Sequence, residues 1–273
     1  MAIAPGTPAE LYARDEGTGV PVVLLHGLGG DHTVWNGLIP GLAREFRVLA
    51  PDLRGHGRTV APPGSTFTFD ELAGDLWAFL DGKGLPAVHL VGLSAGGFLA
   101  LQAAIDRPDR LRSLTVVAAG AHCDRHTRAI GERWAETFRD SGFDAYVLRL
   151  LKDLYYPDWV EAHMDYVDRL RSGLKESDGR NTVRWGLSVR DFDVRGRVAR
   201  IRLPTLVVHG MDDAVVDVSH ARILRQSIPG AEMRLLAQTG HLVPIERPEE
   251  LLAGLTDWIR RVEARGPASA APG

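Results

Sequence analysis

Short apolar runs rich in valine and leucine alternate along this chain with longer segments whose apolar residues recur every third or fourth position. A run without polar alternation is a strand buried on both faces, the kind found in parallel sheets covered by helices. Pro21–Leu25 (PVVLL), residues 47–50 (RVLA), Val88–Leu93 and residues 114–118 all read this way. Between them the pattern predicts a helix over residues 33–44. A second helix is opened by Thr68 and Glu71 at capping-box spacing and carried by Leu72, Leu76 and Phe79. A third follows Ser94 and ends before Pro108.

After Ala118 the alternation stops. From His122 to Arg200 there is no strand run, large aromatics concentrate, and helical spacing shows in Ile130, Trp134 and Phe138 and in Val147, Leu150, Leu151 and Leu154. Strand signals return at residues 205–209 and Glu232–Leu236. Pro248 opens a final helix with the stripe Leu251, Leu252, Leu255, Ile259 and Val262, ended by Gly266. The pattern predicts an α/β fold with a mostly parallel central sheet flanked by helices. Residues 1–121 and 201–265 form the core, residues 122–200 a helical cap inserted between core strands, and residues 266–273 a disordered tail.

Composition narrows the function classes. Among 273 residues, 32 basic and 35 acidic side chains leave a formal charge of −3, which gives no electrostatic reason to bind nucleic acid or an anionic membrane. The single cysteine, Cys123, has no internal partner for a disulfide. The N-terminus has no basic start followed by an apolar run, so no signal peptide is expected. Residues 84–105 carry no formal charge, yet Gly92, Ser94, Gly96 and Gly97 in their middle fit a strand, a tight turn and a helix better than a membrane span. A soluble, cytoplasmic protein with a small-molecule substrate is expected; self-assembly into a homo-oligomer stays open.

The chemistry gathers on three segments. Gly92-Leu93-Ser94-Ala95-Gly96 fits G-x-S-x-G between a predicted strand and a predicted helix. A nucleophile on so sharp a turn needs neighbours without side chains, and the turn leaves the Ala95 amide at a helix N-terminus, where it can stabilise an oxyanion. A serine needs a base, and His241 lies just after the last predicted strand, where open α/β sheets build their sites. The imidazole needs an orienting acid. Asp212 and Asp213 follow the strand at residues 205–209, Asp124 follows an earlier strand, and spacing does not choose between the adjacent pair.

These segments, with His26-Gly27-Leu28-Gly29, Asp52-Leu53-Arg54-Gly55-His56-Gly57, the stretch from Pro204 to Gly210 and Gly240-His241, resemble the α/β-hydrolase superfamily. The likeness is greatest to its small esterase, enol-lactonase and haloperoxidase-like serine hydrolases. It implies a triad of Ser94, Asp213 and His241, with Asp213 preferred to Asp212, and an oxyanion hole from the Leu28 and Ala95 amides. His26 then stabilises a turn, and Arg54 and His56 belong to a hydrogen-bonded loop beside the site. No cofactor is needed.

Two weaker signals are set aside. His32 occupies the last position of a G-x-G-x-x-G pattern begun at Gly27, and Cys123 stands where the glutamate of H-E-x-x-H would be between His122 and His126, so neither a dinucleotide nor a metal is expected. In the cap, Trp134, Tyr155 and Trp159 are expected to line the pocket, with His122 at its entrance or capping the insert. The segment from Leu154 to Trp159 also resembles the lid of hydrolases acting on aminoacrylate-type intermediates. The expected reaction is hydrolysis of a small to medium carboxylic ester or lactone through an acyl-enzyme on Ser94. The same triad could cleave C–C, enamine or carbamate bonds, or form peracids as a cofactor-free haloperoxidase. A slow-turnover ligand-binding receptor is the alternative from another class.

Overall fold

The structure, a computed structural model, describes residues 7–62, 64–173 and 176–265. Seven strands form one sheet: β1 (Ala13–Glu16), β2 (Pro21–Leu25), β3 (Arg47–Pro51), β4 (Val88–Leu93), β5 (Leu111–Val117), β6 (Thr205–Gly210) and β7 (Glu232–Leu236). Their order is β1-β3-β2-β4-β5-β6-β7, with β1 antiparallel to β3 and every other pair parallel. Successive strand residues feed opposite faces. Val23 and Leu25 enter one core cluster, with α2 (Phe69–Gly82) and α3 (Ala95–Asp106); Val22 and Leu24 enter the other, with α10 (Pro248–Ala264).

Several boundaries differ from expectation, each for a local reason. Residues 33–44 are not one helix but a 3-10 turn, His32–Trp35, followed by the four-residue α1 (Ile39–Leu42). Pro40 has no N–H to continue the ladder, and its ring opposes the carbonyl four residues back. β5 begins three residues earlier than expected, and Ala118, at φ 50°, has left it. β1 was not foreseen, because an edge strand reading ARDE shows no apolar run. Thr68 and Glu71 do form a reciprocal capping box at the start of α2. Gly266 and the tail lie outside the described residues.

Among the described residues, four α-helices lie between β5 and β6, α4 (Arg125–Leu154), α5 (Pro157–Ala162), α6 (Met164–Gly173) and α7 (Glu176–Arg190), followed by a 3-10 turn at Val198–Arg200. α4 is two arms joined at Gly142, whose φ of 82° and ψ of −179° only glycine adopts without strain. Their apolar faces, with Ile130, Trp134, Tyr146 and Leu151, close over Val215 and Val216 of the core. After β6, the chain adds α8 (Ser219–Ser227) and the short α9 (Val243–Glu246) ahead of α10. Among the described residues no helix is long and apolar enough to cross a membrane; residues 84–105 are largely β4 and α3.

Candidate active site

β4 runs up the middle of the sheet and ends at Leu93, and the next residue turns the chain sharply into α3. Ser94 takes φ 53° and ψ −120°, a conformation that costs a non-glycine residue on the order of 1–3 kcal/mol and holds only where the surroundings impose it. Those surroundings are tight: a Cβ on Gly92 would lie 2.2 Å from the Gly96 carbonyl, and one on Gly96 would lie 2.5 Å from the His26 carbonyl. The two glycines of the motif are there because the backbone passes itself too closely for any side chain.

The loops after β6 and β7 bring two more groups to Ser94. His241 Nδ1 lies 2.7 Å from Asp213 Oδ2, and its Nε2 lies 2.8 Å from Ser94 Oγ. The Asp213 carboxylate only accepts, so Nδ1 carries the proton and Nε2 receives the serine hydroxyl. Asp213 Oδ1 accepts from the Val215 and Val216 amides at 2.8 and 3.0 Å. Burial pushes the Asp213 carboxyl upward, but the charge of His241 and the hydrogen bonds of His209 and His241 outweigh it and hold the group far below the ordinary carboxylate range. Asp212, its neighbour, is exposed, and Asp124 caps α4 and contacts His220 instead of His241.

A cavity of about 1110 Å³ opens above these residues. Leu28 and Ala95 line it beside Ser94 and His241, and neither backbone N–H is taken by a turn or cap bond among the described residues. Trp134, Tyr155 and Trp159 line it from the cap. Tyr155 and Trp159 stack at 5.1 Å, and the Trp134 indole is fixed by donating to Asp153 at 2.9 Å. His122 is a correction: it does not line the cavity. It bridges to Asp193 in an extended stretch and turns its ring toward His220, 4.8 Å between centroids, so the adjacent Cys123 faces the cavity instead. Burial pushes the Cys123 thiol up to about 11.

The loop after β3 braces this floor. His26 Nδ1 donates to the Gly27 carbonyl while its Nε2 accepts from the Leu53 amide, and Arg54 grips the buried Asp75 through Nε and Nη2. His56 lies at the cavity wall and accepts from the Gly29 amide at 3.3 Å. Metal-type donors gather in Asp31, His32 and Asp52, within 4.8 Å of one another. Their oxygens already serve the fold. Asp52 accepts from the amides of His32 and Arg58, and Asp31 accepts from Thr33.

Two residues of the site carried no signal in the sequence. Glu246, buried at the end of α9, accepts from the amides of Gly240 and Tyr156 at 2.9 Å and of Leu242 at 3.2 Å. It thereby ties the histidine loop to the junction of α4 and α5, where the His241 amide also donates to the Leu154 carbonyl. His209, the penultimate residue of β6, approaches Asp213 from behind at 3.3 Å.

A strand–turn–helix serine backed by a histidine and a buried acid, on a mostly parallel sheet, defines the α/β-hydrolase class. The chain belongs to the α/β hydrolase fold family, which it matches over residues 20–248. It is 30% identical to a protein of Azorhizobium caulinodans named "Putative carbamate hydrolase RutD", over 95% of this chain and 99% of that one. A thermophilic esterase from Thermogutta terrifontis is 30% identical, with a TM-score of 0.83 over 93% of this chain and 94% of that chain. The enol-lactonase of Burkholderia xenovorans is 25% identical, with a TM-score of 0.83 over 92% and 97% of the two chains.

Proposed function

We propose that this hydrolase cleaves a small to medium carboxylic ester or lactone through an acyl-enzyme on Ser94. The observation that carries the reading is the continuous hydrogen-bond line from Ser94 Oγ through His241 to Asp213, opening on a mostly apolar cavity. Ser94 attacks the carbonyl while His241 Nε2 takes its proton, and Asp213 stabilises the imidazolium that forms. The amides of Ala95 and Leu28 receive the developing oxyanion; one such donor is worth roughly 3 kcal/mol in the transition state. His241 then protonates the leaving group, and water, activated by the same imidazole, releases the acid. The 30% identity to an esterase over nearly the whole chain supports the bond type.

The likeness to relatives named as carbamate hydrolases favours a second reading, cleavage of a carbamate carbonyl by the same residues. Hydrolysis of p-nitrophenyl acetate, butyrate and octanoate, compared with phenyl carbamate, separates the two. Turnover of the esters that disappears in Ser94→Ala supports the ester reading. Ser94-dependent turnover of the carbamate with inert esters would replace it with the carbamate reading.

A further inference from the structure

We propose that Arg128 anchors an anionic group of the substrate, a carboxylate borne away from the scissile bond, so that the cavity selects monoanionic substrates over neutral ones. The proposal rests on the serine-hydrolase reading for its reaction, though not for its binding site. Arg128 lies in the first turn of α4 and lines the same cavity as Ser94 and His241.

The argument is one of unbalanced charge. Taking a guanidinium out of water is costly unless a counter-charge or a full set of acceptors replaces the solvent. The other half-buried or buried arginines of the described residues follow that rule. Arg54 holds Asp75, Arg149 holds Asp153, and Arg261 holds Glu232. Arg14, Arg47, Arg110, Arg197 and Arg247 each have a carboxylate within 4 Å as well. Arg107 has none, but its guanidinium lies over the Trp77 ring at 5.2 Å.

Arg128 has neither. Nη2 donates to the Arg190 carbonyl at 3.0 Å, Nε is buried with no partner, and Nη1 has none among the described residues. Cys123, near enough to feel its charge, stays a neutral thiol and offers no anion. Glu132, one turn along α4, lines the cavity too but is exposed and makes no ion pair with Arg128. Asp31, the other described carboxylate of the lining, accepts from Thr33. Arg58, Arg169 and Arg190 add further positive charge to the wall. Arginines therefore outnumber carboxylates in the described lining, and the least hydrated of them is unpaired. A carboxylate reaching the guanidinium would supply a charge-assisted hydrogen bond and the missing counter-ion together.

The test compares monomethyl adipate with methyl hexanoate, esters of equal acyl length that differ in a terminal carboxylate, by acid release in a pH-stat. The wild type is expected to show a higher kcat/KM for the monoanion, carried by KM. Arg128→Met should lower the anionic-to-neutral ratio of kcat/KM by about tenfold to a hundredfold, and Arg128→Lys should recover part of it. An equal ratio in wild type and Arg128→Met overturns the proposal. Calorimetric titration of adipate itself needs no turnover and separates this proposal from the reaction assigned above. Tighter binding to wild type than to Arg128→Met sustains the anion site even if esters prove inert, and equal binding overturns it.

Discussion

His209 Nε2 lies 3.3 Å from Oδ2 of Asp213, the same oxygen that accepts the hydrogen bond of His241 Nδ1. The His209 ring is fully buried, and its Nε2 donates to the Val216 carbonyl at 2.8 Å while Nδ1 has no partner. The proton is thereby fixed on Nε2, and the ring becomes a wall behind the acid. His209→Phe keeps the volume and removes the donor, so kcat is expected to fall by about tenfold with KM little moved. His209→Gln, which keeps a donor, should recover part of the loss. Steady-state kinetics of the two variants on one ester checks this; equal kcat in His209→Phe and wild type would remove His209 from the site.

The two adjacent aspartates are separable by experiment. Ser94→Ala should cost about a million-fold in kcat. Asp213→Asn should cost about ten-thousandfold, because an amide facing Nδ1 favours the wrong tautomer. Asp212→Asn should stay within about twofold of wild type, since Asp212 is exposed. A larger loss at Asp212 than at Asp213 would transfer the acid role.

Glu246 holds three amides that bond no other acceptor among the described residues, on the histidine loop and at the end of α4. Its removal leaves buried donors unpaired, at about 1–3 kcal/mol each before relaxation. Glu246→Ala is expected to lose about 2–4 kcal/mol of unfolding free energy in urea, and Glu246→Gln, which keeps one acceptor, less. The same variant should lower kcat, because the loop it frees carries His241.

Stability should fall on mild acidification. Burial lowers His56 to about 3 and His89 to about 4, from an unfolded value of 6.5. As pH drops below 6.5, the unfolded chain takes up protons that the folded rings still refuse. Stability from these groups is therefore complete above pH 6.5 and is lost progressively toward pH 4 for His89 and pH 3 for His56. For His89, whose acidic neighbour Glu263 opposes the shift, the span is at most about 3 kcal/mol. Urea midpoints at pH 7, 5.5 and 4.5 should decline, and His89→Gln should flatten the decline. Equal slopes in both proteins would contradict the assignment.

Legibility followed burial. β2 and β4 begin and end where the apolar runs do, because a strand enclosed on both faces is built mostly of apolar residues. The polar edge strand β1 left no such trace. The Ser94 turn was readable because its demand for small neighbours is local and stereochemical. Choosing Asp213 over Asp212 was not, since neighbouring residues of a loop differ only in which way they face. The same one-residue alternation placed Cys123, not His122, on the cavity wall. Glu246 was silent because one of its partners, Tyr156, meets it only when distant segments fold together, and His209 because a histidine inside an apolar strand shows no role until the following loop folds Asp213 back onto it. Arg128 carried no mark either, since an arginine is conspicuous only once its missing counter-ion can be seen.

The bond from the His241 amide to the Leu154 carbonyl makes the cap part of the base's mounting. Tyr156, two residues on, shares Glu246 with Gly240, so the loop and the end of α4 are fastened at two points. Lifting the cap would break both fastenings and leave the imidazole without its footing; hydrogen exchange at the His241 amide would register each opening. The histidine loop and the end of α4 are therefore one mechanical unit, so whatever shifts that end of α4 also shifts the imidazole beside Ser94.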